Sequence, residues 1–163
     1  MDKSYLSLGS NRGDREANLE KAIKMLSDWA GNVIAESSLF ETPPWKMADS
    51  TDFLNQVILL ETDLTQGKLM ETIFQIETIL GRIRIQKKYE PRTIDIDILF
   101  FNDFIVNKDG LIIPHPLLQE RRFVLEPMAE IAPEFIHPVF QKSVSKLLAE
   151  CVDKSVVRKL VSK

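Results

Sequence analysis

Apolar and polar positions alternate over Ser4-Tyr-Leu-Ser-Leu8 and stop at Gly9-Ser10-Asn11, which predicts a strand running into a plain strand-to-helix turn. Asp14 stands where a helix cap belongs. Leu19, Ala22, Ile23, Leu26 and Ala30 then recur at three- and four-residue steps, so residues 15–29 read as an amphipathic helix stopped by Gly31-Asn32. A second strand is expected over 33–41. Thr42-Pro43-Pro44-Trp45 breaks it, because proline cannot donate to a ladder. Residues 45–52 form a polar loop. Strand character returns from Phe53 to Thr62, and a helix starts at Thr65 or Gln66. Leu69, Ile73, Ile76 and Leu80 line its inner face, with Gly81 as its C-terminal cap.

Residues 82–92 carry five cationic side chains (Arg82, Arg84, Lys87, Lys88, Arg92) against one acid, Glu90, and read as a loop. Thr93 to Phe101 is the strongest strand pattern in the chain. Asn102-Asp103 is a hairpin signal, followed by short strands at 104–106 and 111–113 around the turn Asn107-Lys-Asp-Gly110. Helical pieces are expected over 117–131, 143–151 and 153–161, the last as a docking helix bearing Val156, Val157, Leu160 and Val161. The order strand, helix, strand, strand, helix, strand is that of a ferredoxin-like βαββαβ unit with a mainly antiparallel sheet. Leu99, Phe100 and Phe101 put apolar side chains on both faces of the last strand. The C-terminal helices are therefore expected as a second layer, making an α+β, three-layer α/β/α sandwich.

Composition narrows the function classes. The 163 residues are 44% apolar, enough for one good core and a single domain over 1–163. Nine Phe and many Ile and Leu exclude disorder as the main state. Cys151 is the only cysteine, so a disulfide scaffold is excluded, and with two His a zinc site is not expected. No apolar run reaches the ~18 residues of a membrane span, and the N-terminus lacks a signal-peptide pattern, so the cytoplasm is the expected compartment. A net charge of −3 argues against a general nucleic-acid binder and leaves room for a local cationic pocket.

The sharpest chemical feature is Arg92-Thr-Ile-Asp95-Ile-Asp97-Ile. Alternation puts Asp95 and Asp97 on one face, their Cα atoms roughly 6.5–7 Å apart. Two carboxylates so close repel unless a cation sits between them. Hard oxygen ligands favour Mg²⁺, which completes its shell with water and phosphate oxygens. Arg92 lies three residues away, so the cationic loop and the acids share one end of the sheet, as a nucleotide phosphoryl-transfer site requires. No P-loop pattern occurs. Thr42-Pro43-Pro44-Trp45 and Phe53-Leu54-Asn55 together suit a flat polar ring, by stacking and by the donor–acceptor edge of Asn55. His115 sits between two prolines and precedes Arg121-Arg122-Phe123, whereas His137 lacks such context and reads as a surface residue.

The set Gly9-Ser10-Asn11, Thr42-Pro43-Pro44, Phe53-Leu54-Asn55, Pro91-Arg92-Thr-Ile-Asp95-Ile-Asp97-Ile, Pro114-His115-Pro116 and Arg122-Phe123-Val124-Leu125 with Glu130-Ile-Ala-Pro133 closely resembles the 6-hydroxymethyl-7,8-dihydropterin pyrophosphokinase family of folate biosynthesis, over about residues 4–150. The resemblance implies transfer of pyrophosphate from ATP to the hydroxymethyl oxygen of the pterin, with AMP leaving. It implies Asp95 and Asp97 as ligands of two Mg²⁺ ions, and Arg82 and Arg92 as grips on the transferred group. Arg84 and Tyr89 would belong to a closing loop. His115 and Arg121 would contact ATP, and Glu77, Ile98 and Leu111 would border its nucleoside. Thr42, Pro43, Trp45, Phe53, Asn55 and Phe123 would form the pterin slot. Asp97 or a water would be the general base. The small-molecule partners are ATP and the pterin, with no nucleic acid or membrane, and a monomer is expected. Two positions depart from the family pattern: Glu90 replaces a usual Gly, and Phe74 replaces a polar residue of some members. A palm-type nucleotidyl transferase, which would release pyrophosphate, and a non-catalytic RNA-recognition module are the competing readings.

Overall fold

A computed structural model describes residues 1–43, 52–81 and 93–160. The cationic stretch 82–92, with Arg82, Arg84, Tyr89 and Arg92, and residues 44–51, with Trp45, lie outside them. The main sheet has the order β5-β1-β4-β3-β8, with β2 also on β4. Its strands are β1 (Asp2–Ser10), β2 (Asn32–Glu36), β3 (Phe40–Thr42), β4 (Phe53–Thr62), β5 (Asp95–Phe101) and β8 (Arg158–Lys159). β1 runs antiparallel to both β4 and β5, which is the ferredoxin-like arrangement. A separate hairpin joins β6 (Val106–Lys108) to β7 (Leu111–Ile113).

Helix α1 (Arg15–Trp29) is capped by Asp14, whose side chain accepts from the Ala17 N–H; α2 (Gln66–Ile79) is capped by Thr65. Both lie on one face of the sheet. There Leu19, Ala22, Leu26, Leu69, Ile73 and Ile76 meet Leu6, Leu8, Ile58, Ile96 and Ile98 in one buried cluster. The opposite face is covered by α3 (Arg122–Ile131) and α4 (Val144–Ala149), whose Val124, Leu125, Met128 and Leu147 close over Val57, Leu99 and Phe100. The three layers expected from the apolar end of β5 are therefore present. No helix among the described residues is long and apolar enough to cross a membrane.

A bulge in β5 makes both cores possible. Tyr5 pairs with Phe100 but Leu6 pairs with Ile98, leaving Leu99 as an extra residue. Before the bulge, Ile96 and Ile98 face α1 and α2, and Asp95 and Asp97 face the other way. After it, Leu99 and Phe100 both join the α3–α4 core, and Phe101 returns to the first. The acids thus occupy the same face as the second core.

Four expectations need correction. The second strand is two pieces, β2 and β3: at Ser37 the backbone N–H still donates to Val57 O at 2.8 Å, but the Val57 N–H turns to the Ser37 hydroxyl instead of its carbonyl. Asn102 turns the chain, but no hairpin forms there: β5 pairs with β1, and the following short strand is displaced to β6, which pairs with β7. Residues 117–131 contain a 3₁₀ turn (Leu118–Glu120) and then α3, broken at Arg121 by an extended backbone. The tail 153–160 is no helix. Its last residues form β8, which pairs antiparallel with β3. Val156 and Val157 are β-branched, and an unpaired strand edge is satisfied by adding a strand.

Candidate active site

The candidate site lies at the Gly9–Asp95 end of the sheet, on the α3–α4 face. Register places Asp97 opposite Ser7 and Asp95 opposite Gly9, and on the other side of β1 it places Val57 opposite Ser7 and Asn55 opposite Gly9. One row therefore reads Asp95, Gly9, Asn55. Two strand spacings separate its ends, about 10 Å. Both acids are half-buried.

Asn55 is buried, and its carboxamide nitrogen donates to the Thr42 hydroxyl at 2.8 Å, locking the two side chains across β3 and β4. Gly9 is what lets this wall approach: a Cβ there would meet Asn55 Oδ1 at 3.2 Å and the Phe53 ring at 3.4 Å. The sequence pattern ends the strand before Gly9, whereas Gly9 lies inside β1. Pro43 follows Thr42 and is exposed. On the facing side, α3 packs against β4 and β3. It carries Phe123 in its first turn, with the Arg121 guanidinium 5.7 Å from the Phe123 ring centre.

His115 belongs to the acid corner. Its Nδ1 accepts from the Leu117 N–H at 3.1 Å, so the neutral ring carries its proton on Nε2. Burial first, then the Arg121 charge, pull its pKa down to about 4, while Asp95 opposes them. His115 is thus an uncharged donor held near both an arginine and an acid.

The edge of β5 away from β1 is a separate surface. The buried Glu77 carboxylate on α2 accepts from the Ile96 N–H at 2.9 Å, and Leu99 O accepts from the His115 N–H at 3.0 Å. Since Ile96 points its N–H away from β1, Ile98, two residues on, turns its N–H and C=O outward as well. The Ile98 side chain is buried on the α1–α2 face, with Leu111 packed at the rim of that cluster. His137, expected at the surface, is instead buried. Its Nδ1 accepts from the Val139 and Phe140 N–H groups, and its ring meets the edge of Phe100.

Among the described residues no three His, Cys, Asp or Glu side chains form a metal-holding group. Two carboxylates on one strand face suit a hard ion that fills its shell from substrate phosphates and water, as Mg²⁺ does.

An antiparallel sheet of ferredoxin-like order carries two acids on one face of β5, with a neutral histidine close to Asp95 and Arg121. Comparison with known proteins gives the family. The family described as 7,8-dihydro-6-hydroxymethylpterin-pyrophosphokinase (HPPK) matches residues 5–133, and the chain belongs to it. It is 42% identical over 137 residues to the 2-amino-4-hydroxy-6-hydroxymethyldihydropteridine pyrophosphokinase of Methylorubrum extorquens, covering 83% of this chain and 86% of that protein. To the protein of that name in Bacillus subtilis it is 43% identical over 129 residues, covering 78% and 77%. The fold matches wild-type Plasmodium falciparum HPPK-DHPS with a TM-score of 0.77 at 18% identity, over 91% of this chain and 44% of that longer one.

Proposed function

We infer that this protein transfers the β,γ-pyrophosphoryl group of ATP to the hydroxymethyl oxygen of 6-hydroxymethyl-7,8-dihydropterin, giving AMP and the pterin diphosphate in folate biosynthesis. Family membership supports the reaction. The observation that carries the geometry is the row Asp95–Gly9–Asn55, which sets an acid corner about one bicyclic ring's length from a polar ring-binding wall.

In this reading the pterin lies between Phe123 and the wall of Thr42, Pro43, Phe53 and Asn55, with Trp45 completing the slot. Its ring edge meets Asn55, and its hydroxymethyl arm crosses the bare floor at Gly9 toward Asp95 and Asp97. ATP lies along the outer edge of β5, its nucleoside bordered by Glu77, Leu111 and the outward backbone of Ile98. His115 Nε2–H and Arg121 donate to its phosphates. Arg82, Arg84 and Arg92, by family resemblance, close on the phosphates, and Arg82 and Arg92 stabilise the transferred group. Asp95 and Asp97 would hold two Mg²⁺ ions, whose chemistry is charge neutralisation on the phosphates. The alcohol oxygen bonds to the β-phosphorus, the bond from that phosphorus to the bridging oxygen breaks, and AMP leaves with that oxygen. The alcohol proton goes to Asp97 or to water. Alignment and charge neutralisation suffice, and no covalent enzyme intermediate is needed. We further infer one domain over 1–163 working in the cytoplasm, where a buried lone thiol such as Cys151 needs no oxidising environment.

The test is to incubate the protein with ATP, Mg²⁺ and the pterin and to separate the nucleotides. AMP formed only when the pterin is present supports the reading. Release of inorganic pyrophosphate with nucleotide incorporation would favour a palm-type transferase instead.

A further inference from the structure

Helix α3 carries Phe123 in its first turn, yet no side chain at its own cap position, Arg121, bonds its free N–H groups. The missing partner arrives from 31 residues further along the chain. The Asp153 carboxylate accepts the Arg122 N–H at 3.1 Å, and the Asp153 carbonyl accepts Arg122 Nε at 2.9 Å. Asp153 is itself held in place by the Ser155 N–H at 2.9 Å. A helix start without a local cap is normally costly, so this tertiary cap fixes where the first turn of α3 sits.

The same tail then reaches the opposite wall of the slot. Arg158 pairs with Glu41, the residue before Thr42, and Arg15 also pairs with Glu41 at 2.8 Å. Lys159 meets Glu130 at 2.8 Å, and Glu130 in turn accepts the Ser38 N–H. Leu160 donates its N–H to Leu39 O at 2.8 Å and packs on the first core. Eight residues, 153–160, thus tie the helix bearing Phe123 to the strand bearing Thr42. This segment lies beyond the residues 5–133 that match the family.

We propose that Asp153 is a positioning residue for the pterin slot: it holds the first turn of α3, and with it Phe123, in place relative to the strands that carry Thr42 and Asn55. The proposal rests on the pterin reading above. Asp153 touches no substrate and acts only through Arg122 and Phe123.

The test uses the full chain, with Asp153→Ala and Asp153→Asn, at saturating ATP and varied pterin. A lost cap corresponds to about a tenfold change in an equilibrium constant. Asp153→Ala is therefore expected to raise the pterin KM about tenfold, with kcat within twofold of the unaltered protein. Asp153→Asn keeps one acceptor oxygen and falls between them. Pterin fluorescence titration should show the same order in Kd. A merely structural role would lower the folded fraction, and with it kcat, and leave KM unmoved. That result, in an Asp153→Ala protein folded by circular dichroism, overturns the proposal. If Asp153→Ala does not fold, Asp153→Asn must itself raise KM two- to threefold, and an unchanged KM there overturns it. Failure of the unaltered protein to form AMP would overturn the functional reading instead.

Discussion

Gly9→Ala separates the demands of the fold from those of the site. The added methyl would lie 3.2 Å from Asn55 Oδ1 and 3.4 Å from Phe53 Cδ1, so the carboxamide must move by a few tenths of an ångström. An off-rotamer displacement of that kind costs about 0.5–1.5 kcal/mol. Against it, replacing glycine by alanine within a strand returns about 0.5–1 kcal/mol of backbone entropy. Unfolding free energy should therefore change by less than about 1 kcal/mol. Binding has no such compensation. Asn55 is anchored by its 2.8 Å bond to Thr42, and a displaced carboxamide cannot keep both that bond and the bond to the pterin edge that the proposed function assigns to it. One lost hydrogen bond is worth about 1–1.5 kcal/mol, or roughly a tenfold weaker pterin affinity. Urea unfolding and pterin fluorescence titration on the same preparations read the two quantities. Unchanged pterin affinity would refute the assignment of Gly9 as the slot floor. A stability loss above about 3 kcal/mol would refute the claim that the crowding falls on the site rather than on the packing.

Gly31→Ala should behave in the opposite way. Its Cβ would lie 2.0 Å from the Glu61 backbone oxygen, so a loss of about 3 kcal/mol or more is expected, and a urea midpoint within error of the unaltered protein would contradict it. His115 is neutral in the fold, with its pKa held at about 4 by burial and by Arg121. The unfolded chain therefore takes up this proton first. The stability tied to this group is complete above pH 6.5 and is lost as pH falls toward about 4. Proton NMR of the ring should find it uncharged at pH 6, and an ordinary titration midpoint would refute the assignment. Asp97→Asn should abolish Mg²⁺-dependent tightening of ATP binding by calorimetry while leaving the thermal transition within a few degrees; retained tightening would remove Asp97 from the ion site.

Local patterning made much of the scaffold legible. The bounds of α1 and β4 follow from apolar spacing with Asp14 and the prolines as punctuation, and the bulged end of β5 announced a layer on each face. The acid pair was legible for the same reason, since two Asp in an Ile-rich strand have no packing role. What was hidden depends on distant partners. The tail has the apolar spacing of a helix but ends in a strand because β3, 117 residues earlier in the chain at Glu41, offers an edge for Arg158 to pair with. His137 reads as a surface residue until Phe100 is brought against it. The role of Gly9 emerges only when Asn55 and Phe53 lie across it, and that of Asp153 only when α3 is seen to lack a cap of its own.

If the proposed function holds, a two-phosphorus unit moves intact from ATP to the pterin alcohol beside Asp95 and Asp97. Phosphorus NMR of the complete reaction, with the unaltered protein and with Asp97→Asn, tests it most directly. The account predicts AMP together with a coupled pair of phosphorus signals on the pterin product, and neither with Asp97→Asn. ADP with a single pterin phosphate, or free inorganic pyrophosphate, would contradict it.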